Sequence, residues 1–120
     1  MSGAQELIAS AYRHFVEEMP ALERLKLVVR LELRGRGDVQ IFRVAVPGPE
    51  VTKVDPDDSR IEVAMPRASF NEAVEKGTIR AWHDAYDHGD LKVGGDPDVI
   101  KLLGTVIGKH EARSQLRRVR

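Results

Sequence analysis

Cysteine is absent from this chain of 120 residues. That excludes a disulfide framework, a thiolate nucleophile and a cysteine-rich zinc site, and it fits a reducing compartment. Net charge is absent too, since 19 basic residues meet 19 acidic ones. No global field steers the protein toward a polyanion, and nucleic acid is not expected as a partner. No apolar run approaches the length that spans a bilayer. The start carries Glu6 and no basic-then-apolar leader, so no signal peptide is read and a cytoplasmic location is expected. Internal repeats, low-complexity segments and interdomain linkers are also missing. The serines, Ser2, Ser10, Ser59, Ser69 and Ser114, sit in no nucleophile elbow. No catalytic set, cofactor motif or enzyme activity is expected.

What is present suits one domain over residues 1–120. Hydrophobic residues make up 42% and charged residues 32%, which argues for a packed core and against disorder. The charge is uneven along the chain. Lys109, Arg113, Arg117, Arg118 and Arg120 face only Glu111, leaving +4 there and −4 over the rest. A basic tail is expected from about residue 109.

Ser2 and Gln5 predict a capped helix whose apolar stripe runs through Ile8, Tyr12, Phe15 and Met19 and stops at Pro20. Alternation then predicts a strand, with Leu25, Leu27, Val29, Leu31 and Leu33 on one face and Lys26, Arg30, Glu32 and Arg34 on the other. Gly35-Arg36-Gly37-Asp38 turns the chain. This stretch matches an adhesion tripeptide, but a hairpin between two apolar strands demands the same residues. Val39 to Val46 is the second strand, broken by Pro47-Gly48-Pro49. Val51 to Val54 and Arg60 to Met65 predict two more. Ser69 and Glu72 read as a capping box, and Gly77 closes that helix. Thr78 to His88 is a short helix, Asp90 to Val93 a strand, and Asp96-Pro97 opens the last helix. Its apolar face is Val99, Leu102, Leu103, Val106 and Ile107. The order predicts an α+β domain: an antiparallel, mixed-order sheet of about five strands, covered on one face by helices.

Three local patterns carry chemical interest. In WHDAYDHGD (Trp82 to Asp90) positions four apart pair His83 with Asp87 and Asp84 with His88. The two pairs diverge around the helix, so they cannot converge on a metal, which needs three or four ligands at one point. Ile79, Trp82, Ala85 and Tyr86 take the buried stripe, and the polar groups are left for water. GGDPD (Gly94 to Asp98) opens a helix, as phosphate sites do. Two aspartates there repel phosphate, and capping is the expected role. Gly104 and Gly108 cost the last helix about 2 kcal/mol against alanine. Close backbone packing is expected there, with a helix loose enough to shift for a ligand as the alternative.

From Ile61 to Ile107 a strand (IEVAM) leads into a helix (SFNEAVEKG), a short helix (TIRAWHDAYDHG), a strand and Gly-Asp break (DLKVGGD), and an apolar helix (PDVIKLLGTVI). With Gly77, Ala85, Leu91-Lys92-Val93, Gly95 and Asp96 at its marked places, this grammar resembles the sterol carrier protein type 2 family. The resemblance implies an apolar tunnel between sheet and helices that carries an acyl chain, acyl-CoA, sterol or isoprenoid lipid without chemistry. It implies a lining of Phe42, Val44, Met65, Phe70, Trp82, Tyr86, Leu102, Leu103, Val106 and Ile107, with Trp82 and Tyr86 bulky for an open tunnel. Apart from the resemblance, the basic tail is expected to be frayed and solvated, with transient contact to a membrane surface as the alternative. The competing expectation is a dimeric interaction module that holds a protein by a sheet edge or the tail.

Overall fold

The computed structural model describes the backbone of residues 3–119 and the side chains of residues 3–113. Helix α1 (Gly3–Glu18) buries Ala4, Ile8 and Ala11. The expected cap at Ser2 lies outside the described residues. Pro20 opens a 3-10 turn (Pro20–Arg24) as the helix ends. Leu25 closes that turn by donating to the Leu22 carbonyl at 3.0 Å, so β1 starts at Leu27 and not at Leu25.

Strands β1 (Leu27–Arg34) and β2 (Val39–Val46) form the expected hairpin. Gly35 donates to the Asp38 carbonyl at 3.0 Å, and Gly37 takes a φ of +75°, where glycine carries no Cβ penalty. β3 (Glu50–Thr52) joins the outer edge of β2, shorter and earlier than its valines predict. Strand β4 (Ile61–Pro66) then returns to the other side of β1 and pairs with it in parallel. The remaining strand, β5 (Lys92–Gly95), closes the far edge, antiparallel to β4. The sheet order is β3-β2-β1-β4-β5, mixed and open, with one parallel pair.

The parallel pair needs a crossover, and charged side chains hold it. Residues 53–60 leave the β3 edge and reach β4 at the opposite flank of β1. Arg43 grips Asp58 with two hydrogen bonds, 3.1 Å from Nε and 2.7 Å from Nη2. Arg30 holds Asp55 at 2.9 Å. The polar face of the sheet is thus also the seat of the crossover. Arg60 then enters the sheet by donating to the Val28 carbonyl at 3.0 Å.

The opposite face is apolar and in register. Leu31 lies beside Phe42 and Val63, and Val63 beside Val93. Leu33, Phe42, Met65 and Phe70 are almost completely buried. Helix α1, with α2 (Arg67–Lys76) and α3 (Ile79–Asp87), covers this face. The strand runs into α2 without a loop. Pro66 ends β4 and already stands at the helix cap, so Ser69 falls inside the first turn and caps nothing, contrary to the expected box. Gly77 closes α2 at a φ of +69°, as expected. Thr78 caps α3 by accepting from Ala81 at 3.2 Å.

The amides of Asp90 and Leu91 both donate to the Ala85 carbonyl at the end of α3, which delays β5 to Lys92. Helix α4 (Pro97–Val119) runs 23 residues, past the expected fade at Lys109. Beyond that point the apolar stripe ends, but Glu, Ala, Arg, Gln and Leu are strong helix formers without one.

Candidate functional site between α4 and the helical layer

Helix α4 is anchored at its start and near its middle by polar contacts. At its start Asp96 accepts from the backbone N–H of Asp98 at 2.9 Å and pairs with Arg60 Nη2 at 2.6 Å. The Arg60 guanidinium first, and the Asp98 amide second, hold the Asp96 carboxyl below the usual aspartate range. GGDPD is therefore a cap and an ion pair. Gly95 is required there: at a φ of +110°, a Cβ would lie 2.6 Å from the Arg60 carbonyl oxygen and 2.9 Å from Ile61 Cα.

Further along, His110 Nε2–H donates to Glu18 Oε2 at the end of α1, at 2.8 Å. Glu111 Oε1 lies 2.8 Å from His83 Nδ1 on α3, out of line for a hydrogen bond, and Glu111 Oε2 lies 3.7 Å from Arg80. Glu18 also accepts from the first amide of α3, Ile79, at 3.0 Å. Among the described residues the backbone of α4 packs on β5, while long polar side chains reach α1 and α3.

Between the two anchors the inward stripe is apolar. Val99 is buried, and Leu103, Val106 and Ile107 are half-buried. Phe42, Val44, Met65 and Phe70 are buried in the core formed by the sheet and α2. Trp82 on α3 stands edge-on to Phe15 at 5.1 Å and to Phe70 at 5.7 Å, which joins α1, α2 and α3. Two residues expected in the lining face water: Tyr86 is 54% exposed and Leu102 47%. Tyr86 therefore leaves the buried stripe of α3, and Leu102 leaves that of α4, where Leu103 points inward instead.

The histidine and aspartate cluster does not converge. Asp84 pairs with Arg80 at 3.1 Å, and His88 Nδ1–H donates to the Asp84 backbone carbonyl at 2.7 Å, so the expected Asp84–His88 carboxylate pair is not made. His83 and Asp87 approach only to 3.6 Å. Among the described residues no group of three or more potential ligands is placed to hold a metal. Among the described residues Gly104 and Gly108 serve no close packing, contrary to expectation, for a Cβ at either would meet nothing within 4 Å. An open hollow of about 400 Å³ lies elsewhere, lined by Gln5, Glu6, Ala9, Arg13, Pro49 and Val51. Periodicity missed the bracket of Glu18, Arg80, His110 and Glu111. No local signal marks it, because its partners are far apart in sequence.

No protein-family model and no curated protein matches the sequence. Solved structures do match. Sterol carrier protein 2 like 2 from Aedes aegypti superposes with a TM-score of 0.59 at 16% identity, covering 87% of this chain and 99% of that one. The palmitated form of that mosquito protein gives 0.58 at 16% identity, covering 83% and 93%. UbiJ-SCP2, a ubiquinone synthesis protein, gives 0.53 at 18% identity, covering 92% and 96%. Sheet order, helical cover and the length of the match together give this protein the sterol carrier protein 2-like fold.

Proposed function

We propose that the protein binds a hydrophobic ligand between α4 and the layer formed by the sheet and α1 to α3, and does no chemistry on it. One observation carries this reading. An apolar stripe of Leu103, Val106 and Ile107 faces inward and stays half-exposed, while the helix that bears it is held by β5 and Arg60 at its start and by long polar side chains near its middle. A helix held in that way can move aside for an apolar chain without breaking a packed core. Phe42, Val44, Met65, Phe70 and Trp82 provide the wall facing that stripe in this reading.

The energetics are adequate. Each buried methylene is worth about 0.8 kcal/mol, so a sixteen-carbon chain grosses on the order of 12 kcal/mol. Ordering subtracts several, and micromolar affinity needs about 8. Apolar contact alone suffices, so no charged motif is required. The fold neighbours support an acyl chain, through the palmitated mosquito protein, and an isoprenoid quinone, through the ubiquinone synthesis protein.

The test is mass spectrometry of the intact protein as purified, with titration of a fluorescent fatty acid. Co-purifying lipid and saturable low-micromolar binding are expected. A clean apo mass with no saturable binding would remove the carrier reading.

A further inference from the structure

Helix α4 carries a second pattern on the side away from the inward stripe. Lys101, Thr105, Lys109 and Arg113 follow one another at intervals of four, and all are exposed. That spacing sets them in a row that slants gradually around the exposed side of the helix. Among the described residues Lys101, Lys109 and Arg113 form no ion pair. The acids of the helix do not interrupt the line: Asp98 lies in its first turn, and Glu111 turns toward His83 and Arg80.

Beside the cations run Leu102, Gly104, Gly108 and Ala112, all exposed. Among the described residues no contact uses the two glycines, since a Cβ at either would meet nothing within 4 Å. The result is a low, flat helix face edged by positive charge. We propose that this face docks on an anionic lipid bilayer, so that one helix borders the ligand on its inner side and touches the membrane on its outer side. The choice of a bilayer over another polyanion rests on the lipid-carrier reading. A second copy of the chain fits poorly, because two such faces would oppose like charges. Nucleic acid fits poorly as well, because the line holds no aromatic residue for base stacking.

The experiment is co-sedimentation of the full chain with vesicles of phosphatidylcholine alone, or of phosphatidylcholine and phosphatidylglycerol in equal parts. Binding to the mixed vesicles only is expected, weakening as salt is raised. The double variant Lys109→Glu, Arg113→Glu should bind them at least about tenfold more weakly, at about 1 kcal/mol or more per charge. Its circular dichroism and its fatty-acid binding in solution should match the parent. Equal binding to both vesicles, or undiminished binding by the variant, overturns the proposal. So does tighter binding to a DNA duplex, or a stable dimer that the variant abolishes. If the chain takes no fatty acid yet still selects anionic vesicles, the carrier reading fails and the docking surface stands.

Discussion

Glu18 and His110 stand 92 residues apart and meet at 2.8 Å. The second oxygen of the same carboxylate accepts the Ile79 amide. One side chain thus ties the end of α1 to the start of α3 and the middle of α4. Glu18→Ala should lower stability by about 1 kcal/mol, the usual worth of such bonds at a half-exposed site. Amide hydrogen exchange over residues 103–110 should quicken severalfold. Unchanged exchange there would mean that β5 alone holds α4.

Leu102 and Leu103 are neighbours with opposite exposure, and this gives a controlled test of the ligand site. Leu103→Arg and Val106→Trp should each weaken fatty-acid binding by more than about tenfold, by charging or filling the apolar side of α4. Leu102→Arg should leave it within about twofold, because that side chain already faces water. Equal losses at 102 and 103 would put the ligand somewhere other than under α4.

Gly95 sits against the backbone of Arg60 and Ile61, so Gly95→Ala should be among the most damaging small substitutions. It combines an unfavourable positive φ with backbone overlap, and a loss of about 3 kcal/mol is expected in urea unfolding. Gly104→Ala is the contrast. It adds a methyl in open space and improves helix propensity, for a gain of about 0.5–1 kcal/mol. If both behave alike, the close approach at β5 is not maintained in solution.

Acid should act on two exposed ion pairs. The carboxyls of Asp96 and Asp58 are held below the ordinary value of 3.8 by hydrogen bonds from Arg60 and Arg43. A depressed folded-state pKa stabilises the fold above the unfolded value, and the benefit fades as pH falls through the lowered one. Thermal midpoints should therefore drop below about pH 4. Asp96→Asn keeps a capping side chain but removes the charge, and should flatten that acid limb. A limb as steep as the parent's would assign the acid loss to other carboxylates.

Much of the architecture was legible because it is local. Alternation at Leu27 to Leu33 shows which face of β1 is apolar. Gly35 to Asp38 announces the hairpin, and Thr78, Asp96 and Gly77 mark helix ends by hydrogen bonds that span a few residues. Errors fall where two local rules compete for one residue. Ser69 looks like a cap, but Pro66 has already started the helix. Asp90 and Leu91 look like strand, but their amides are used to end α3.

The candidate site was legible only in part. Phe42, Val44, Met65 and Phe70 are buried because both the strand period and the helix period point them inward. Tyr86 and Leu102 belong to apolar stripes by spacing and still face water, since a stripe wider than its partner leaves its margin exposed.

By itself the sequence determined which segments coil, which extend and which face of each is apolar, because those properties depend on neighbours within a turn or a pleat. Only the tertiary structure decided the parallel pairing of β1 with β4, the crossover gripped by Arg30 and Arg43, and the mooring of α4 by Glu18. These join residues far apart in the chain, and apolar periodicity has no term for which distant charge will meet which.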